Sequence, residues 1–277
     1  MKMALIGLGK MGANMARRLL RHGVEVVGHN RSQEIVQQLT KEEGLIPSEN
    51  TLHAIQQLPS PRIVWLMLPC GAPTENMIQE LIPLLDAGDI MIDGGNSNYH
   101  DSQRRGAMLA KHDIQYVDSG TSGGIWGLKN GYCLMVGGEK SAISEIEPIL
   151  KALAPAEDRG WAHVGPIGSG HFTKMIHNGI EYGMMQALSE GLSLLKGKEE
   201  FNLDLGQITE LWRHGSVVQS WLLDLTAEFL DKDQKLENIE PVVADSGEGR
   251  WTVSEAIDQG IPAPVLSLAL HMRFASQ

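Results

Sequence analysis

A lysine, a histidine, an asparagine, a glutamate and a tyrosine succeed one another at Lys174, His177, Asn178, Glu181 and Tyr182, directly behind a Gly168-Ser169-Gly170 entry. An α-helix turns about 100° and rises ~1.5 Å per residue, so Lys174 and Glu181 fall nearly in line, ~10 Å apart, with Asn178 between them. An amine and a carboxylate held on one rod can take a proton from one atom of a small substrate and deliver one to another. The plainer alternative is a solvated charged face. The flanking Phe172, Met175, Ile176, Ile180, Met184 and Met185 argue against it. A helix this apolar is expected to be mostly buried, and buried charges need a partner or a task.

A second constellation stands at the chain start, where Gly7-Leu8-Gly9-Lys10-Met11-Gly12 follows an apolar run and opens an amphipathic one. Glycines there allow a tight turn and close approach to a pyrophosphate, and the helix start offers free N–H groups. A dinucleotide site is expected. At the end of the next strand an acid would bind a ribose 2′-hydroxyl and repel a 2′-phosphate. This chain carries Asn30, Arg31 and Ser32 instead. Arg31 can stack on adenine and pair with phosphate, while Asn30 and Ser32 donate without repelling it, which favours NADP over NAD. Met67, Leu68 and Pro69, at the end of a later strand, are expected on the same cofactor edge.

Asn96 lies in Asp93-Gly94-Gly95-Asn96, just past another strand, and can hold a substrate oxygen or the nicotinamide ribose. Ser122-Gly123-Gly124 is read as following the next strand, where a hydroxyl and bare N–H groups suit a carboxylate. A turn asparagine and a plain glycine-rich hairpin are the competing readings.

The elements that must carry these residues alternate over the first 165 positions. Strands are predicted at Lys2–Ile6, Glu25–His29, Ile63–Leu68, Ile90–Asp93 and Gln115–Val117. Helices are predicted at Met11–Arg21, Glu34–Leu39, Thr74–Leu81 and Asp101–Lys111. Tyr132–Val136 and Ser141–Leu153 extend the series. Such alternation predicts an α/β, Rossmann-type, doubly wound parallel sheet. Beyond residue 170 helical periodicity takes over, at Thr173–Leu195, Leu205–His214 and Val217–Phe229. The expected organisation is a nucleotide-binding domain over 1–165 and an all-α substrate and dimerisation domain over 166–277.

Composition narrows the classes further. The chain has 277 residues with 42% hydrophobic and 21% charged, an ordinary globular balance. A net charge of −11 argues against nucleic acid, and means that an anionic substrate must be caught by local cations. No apolar stretch nears the ~20 residues of a membrane span. Cys70 and Cys133 are read as lying in apolar surroundings, which suggests a reducing cytoplasm without disulfides. The early first strand leaves no room for a signal peptide. Ten histidines show no metal-ligand spacing, so no metal is expected. The six tryptophans are expected in the core and in a subunit interface.

The run Gly168 to Tyr182 resembles, almost residue for residue, the catalytic helix of the 6-phosphogluconate dehydrogenases, decarboxylating members of the β-hydroxyacid dehydrogenase superfamily. The likeness extends over essentially the whole chain. It implies Lys174 as general base, Glu181 as general acid, and His177, Asn178 and Tyr182 lining the substrate pocket. It also implies that Ser122, Gly123 and Gly124 hold the substrate carboxylate and nearby hydroxyls, and that Arg273 binds its phosphate; Asn96 stays open to the substrate or to the cofactor ribose. The activity implied is oxidative decarboxylation of 6-phosphogluconate with NADP or NAD, as in the pentose phosphate pathway or gluconate utilisation, by a cytoplasmic homodimer. Long-chain members have a lysine and a threonine where this chain has Ser246 and Glu248, so a cation is exchanged for an anion near the phosphate; Arg250 is a possible substitute donor. The family's C-terminal tail carries an arginine and a histidine that complete the partner's site, and the sequence stops at Gln277, so a shortened or impaired form is expected. Two rivals share parts of the pattern. A non-decarboxylating β-hydroxyacid dehydrogenase shares the glycine motif and the Lys174/Asn178 pair but does not need an acid at Glu181. A non-catalytic NADP-binding sensor would be expected to lose Lys174 or Asn178.

Overall fold

The computed structural model describes residues 1–234 and 236–277. Its first strand, β1 (Lys2–Ile6), is apolar on both faces, as a strand covered on both sides must be. Then follow α1 (Lys10–Arg21), β2 (Glu25–His29), α2 (Gln33–Glu43), β3 (Ile46–Pro47), α3 (Thr51–Gln56), β4 (Ile63–Leu66), α4 (Ala72–Leu81), β5 (Ile90–Asp93) and α5 (Tyr99–Leu109). The series continues with β6 (Gln115–Ser122), α6 (Gly127–Asn130), β7 (Cys133–Gly138), α7 (Lys140–Leu153) and β8 (Trp161–Gly165). Five helices complete it: α8 (Ser169–Gly197), α9 (Leu205–Trp212), α10 (Trp221–Leu230), α11 (Glu248–Gln259) and α12 (Pro264–Ser276).

The strands form one sheet in the order β3-β2-β1-β4-β5-β6-β7-β8. The chain builds outward from β1 to β3, then returns to β4 on the other side of β1. That reversal is the switch point where doubly wound sheets bind ligands. Met3 and Leu5 enter one buried cluster with Leu19, Leu39 and Ile146; Ala4 and Ile6 enter another with Ile55, Ile78 and Leu109. Each fully buried aliphatic side chain contributes roughly 1.5–3 kcal/mol, so both faces of the sheet are glued by the same alternation.

The sheet departs from the all-parallel expectation at one place. β6 and β7 pair antiparallel, with Val117 opposite Gly138 and Ser122 opposite Cys133, and β8 is parallel to β7. The connection 123–132 is too short for a parallel crossover, which takes a dozen residues or more. β6 also runs on to Ser122, past the Val117 expected, so Ser122 ends the strand instead of following it. The sequence pattern misses β3, two residues long, and β8, whose side chains alternate between half-buried and exposed at the sheet edge. It misses α3, started by Asn50 accepting from the His53 N–H at 2.8 Å, the polar α11, and α12.

Two compact units emerge, Met1–Lys174 and Met175–Gln277, and the division falls within α8. In the second unit α9 and α10 share Leu205, Leu223, Ala227 and Leu230, all buried, with Asp204 and Ser220 capping their first turns. Tyr182 on α8 packs with Ala269 and Leu270 of α12. Gly179 lets α11 come close, since a Cβ there would meet Thr252 Cγ2 at 2.6 Å. The Thr252 hydroxyl donates to the Met175 carbonyl at 2.9 Å. α8 is less covered than its apolar sequence suggests: Met175 is buried, but Ile180 and Met184 are exposed. Of the tryptophans, Trp65 alone is fully buried, while Trp126 and Trp221 are exposed. Cys70 and Cys133 are exposed and free, contrary to the apolar surroundings expected for them. No helix among the described residues is long and apolar enough to cross a membrane.

Candidate active site

Gly7 ends β1 with φ +95°, and a Cβ on it would meet the Met67 carbonyl at 2.4 Å. Gly12 lies against the Gly7 carbonyl, 2.0 Å from where its Cβ would be. These two glycines are required by packing. Gly9 is different: nothing lies within 4 Å of its Cβ position. The middle glycine thus faces open space at the start of α1, where a ligand phosphate can approach unpaired N–H groups. Leu8 is buried and Met11 packs partly buried on the core. Lys10 is exposed beside that space.

The end of β2 closes over the same loop. Asn30 Oδ1 accepts from the Leu8 N–H at 3.0 Å and its amide donates to the Ser32 carbonyl at 3.1 Å. Asn30 therefore ties the glycine loop to β2, a task its sequence position did not reveal. Ser32 stands at the N-cap of α2 without spending its hydroxyl there. Arg31 is exposed, and no hydrogen bond or ion pair to it is found among the described residues. A cavity of about 490 Å³ lies here, lined by Gly9, Lys10, Asn14, Arg17 and Ser32 among others. Arg17 pairs with Glu42 at 3.1 Å. Across the switch point, Met67 backs Gly12, Leu68 packs on the core, and Pro69 is exposed with its carbonyl accepting from Thr74.

Asn96 is exposed between buried Gly95 and buried Ser97. The buried Asp93 carboxylate holds the loop on both sides. One oxygen accepts from the Gly95 N–H at 3.1 Å; the other accepts from Ser97, Arg105 and Tyr116 at 2.8, 3.0 and 3.1 Å. Burial first, and then the Asp93 charge, push the Tyr116 phenol well above its ordinary range, so it stays a donor. Arg105 also reaches Glu75 at 3.1 Å. The Asp93–Arg105 pair carries no spacing signal, because a strand and a helix bring it together only in the fold.

Ser122, Gly123 and Gly124 sit half-buried at the end of β6, with φ of +136° and +52° at the two glycines. Two steps back along β6, Gly120 meets the lysine: a Cβ on it would lie 2.3 Å from Lys174 Cβ. Lys174 is 7% exposed. In the second unit Asn178 is buried, with its oxygen 3.0 Å from His177 Nδ1. Glu181 is half-exposed, 3.8 Å from His177 Nδ1. Tyr182 is buried with its hydroxyl 3.0 Å from Ser246 Oγ. The Arg273 guanidinium lies 3.4 Å over the Tyr182 ring and donates to the Ala244 carbonyl at 2.5 Å. Tyr182, Ser246 and Arg273 thus form one polar cluster. Arg250, the possible substitute donor, is bound to Asp245 and stacked on Phe274. Glu248 is buried with one carboxylate oxygen lacking a partner among the described residues.

Residues 2–165 match the family model for the NAD binding domain of 6-phosphogluconate dehydrogenase, and residues 170–277 match that for its C-terminal domain. The chain belongs to the 6-phosphogluconate dehydrogenase family. It is 42% identical over 276 residues to a putative 6-phosphogluconate dehydrogenase of Bacillus subtilis, covering all of this chain and 91% of that one. It is 38% identical over 278 residues to the NAD(+)-dependent, decarboxylating 6-phosphogluconate dehydrogenase of Haloferax volcanii, again covering 100% and 91%. Among solved structures it is similar to Plasmodium falciparum 6-phosphogluconate dehydrogenase, described apo, with NADP+ and with 6-phosphogluconate. The TM-score is 0.92 at 31% identity, covering all of this chain and 62% of that one. The dinucleotide-binding domain read from the glycine motif is therefore a family feature.

Proposed function

We propose that this chain oxidatively decarboxylates 6-phospho-D-gluconate to D-ribulose 5-phosphate, reducing NADP, with Lys174 as base and Glu181 as acid. The observation that carries the reading is a buried lysine on the same helix as buried Asn178 and half-exposed Glu181. The cofactor fits the residues present. Gly7 and Gly12 close the turn, Gly9 leaves room, and Lys10, Arg31 and Ser32 offer donors for phosphates. When bound, it supplies the hydride acceptor.

Lys174, in its neutral form, takes the proton of the C3 hydroxyl. The resulting ammonium then stabilises the developing enolate oxygen while the β-keto acid loses CO2, with no metal required. Glu181 protonates C1 as the enediol becomes the ketose. Asn96 and the Ser122-Gly123-Gly124 turn orient the substrate hydroxyls and carboxylate, with His177 and Asn178 along the same substrate. Tyr182, Ser246 and Arg273 take the phosphate, since the Arg273 fork retains donors beyond its bond to Ala244. The preference for NADP rests on Arg31, which has no hydrogen bond or ion pair among the described residues, and on the lack of an acid after β2; a related enzyme being named NAD(+)-dependent makes it a point for measurement. A homodimer built on the second unit is part of this reading.

A turnover assay with 6-phosphogluconate, run with NADP and NAD side by side while trapping CO2, tests it. One CO2 per reduced cofactor is expected. Reduced cofactor without CO2 would make the chain a simple β-hydroxyacid dehydrogenase, and no turnover with either cofactor would remove the enzyme reading.

A further inference from the structure

Asp118 stands on β6, two residues before the glycine that meets Lys174, and is fully buried. Its carboxylate accepts two backbone N–H groups at the start of α8, from Gly168 at 2.6 Å and from His171 at 2.8 Å. The first N–H groups of a helix lack partners within it, and an adjacent residue usually caps them. Here the cap comes from a strand 50 residues earlier. The first turn of the helix is thereby bolted to β6.

Three glycines make the bolt tight. A Cβ on Gly170 would lie 2.4 Å from the Met135 carbonyl and 2.5 Å from that of Asp118. One on Gly137 would lie 2.6 Å from the Asp118 carboxylate, and one on Gly120 runs into Lys174 itself. From the side, Ser102 of α5 holds His171 Nδ1 at 2.7 Å. A one-residue slip of the helix would rotate Lys174 by about 100°, so the first turn of α8 sets where the amine points.

We infer that Asp118 is a positioning residue for Lys174: it touches neither substrate nor cofactor, and acts by holding the first turn of α8 against β6. The inference rests on the proposed role of Lys174 as base. A carboxylate suits the task because both oxygens accept, whereas an asparagine would turn an NH2 toward one of the two N–H groups.

The test is Asp118→Asn and Asp118→Ala in the full chain, with folding checked by circular dichroism. Positioning predicts a graded loss of kcat, about 10- to 100-fold for Asn and more for Ala, as for small misplacements of catalytic groups. The cofactor Kd should stay within about twofold of wild type, since the glycine loop is untouched. Folded variants with kcat within about twofold of wild type, or with the loss lying in cofactor Kd, would overturn the inference. Amide exchange in the wild-type chain gives a reading that needs no variant: Gly168 and His171 should be strongly protected, and fast exchange at both would overturn it too. Should the wild-type chain fail to oxidise 6-phosphogluconate, the functional reading falls, while the Asp118 cap is still judged by that protection.

Discussion

The two units handle apolar surface in opposite ways. Forty-four of the buried hydrophobic residues lie in Met1–Lys174 and eight in Met175–Gln277, although the second unit has more than half as many residues as the first. Large hydrophobics left exposed reverse the ratio, five in the first unit against nineteen in the second, among the described residues. A sheet covered on both faces completes its own core. Helices α8 to α12 bury few apolar side chains among themselves and leave many exposed. The first unit is self-sufficient in apolar burial and the second is not, a contrast that supports the homodimer proposed above.

The largest effect that probes this contrast falls at the division itself. Lys174→Ala should abolish both cofactor reduction and CO2 release, while cofactor affinity, a property of the first unit, survives. Glu181→Gln, in the second unit, should keep fold and cofactor affinity yet lose about 10²–10⁴-fold in turnover, with slow entry of solvent deuterium at C1. Wild-type deuterium incorporation in Glu181→Gln would assign the acid to another group.

Next in size is Arg31→Ala, a change confined to the first unit. Losing a charge-assisted contact of roughly 1.5–3 kcal/mol should weaken NADP about 10- to 150-fold and leave NAD nearly unchanged. Titration of both cofactors decides it: equal losses would mean that Arg31 only stacks on adenine.

Sedimentation tests the second unit directly. The 30.3 kDa chain should sediment at about twice its mass at micromolar concentration. A monomer at that concentration would leave the exposed apolar helices unexplained.

The smallest effect concerns the support beneath Asn96. Hydrogen bonds from Arg104, and then from Arg105, hold the Glu75 carboxyl down at about 2, from an ordinary 4.5. A carboxyl with a depressed folded pKa stabilises above its unfolded pKa, and that stability is lost as pH falls from about 4.5 toward 2. Glu75 is partly exposed, so about 1 kcal/mol is expected, or 2–4 °C in Tm. Glu75→Gln should flatten the acid limb of a Tm–pH series by that amount; an unchanged limb would show that the pair is fully screened.

How much was legible follows from how far each feature reaches along the chain. The glycine motif was readable because strand, turn and helix occupy consecutive residues, and Lys174 to Tyr182 because they share one helix. Asn30 was placed at the cofactor edge, but its bond to the Leu8 N–H depends on β1 and β2 lying side by side. The burial of α8 was overestimated for the opposite reason, since an apolar sequence states a need for cover and does not say what supplies it.

By itself, then, the sequence determined the α/β alternation, the glycine turn after β1, and the order of polar groups along α8. These follow from local periodicity and from glycine's missing Cβ, which need no distant partner. Only the tertiary structure decided that β7 reverses, that Asp93 and Arg105 brace the Asn96 loop, and that Asp118 caps the helix of Lys174. Asp118 reaches an N–H 50 residues on, and all three depend on sheet register and helix packing, which leave no periodic trace in the sequence.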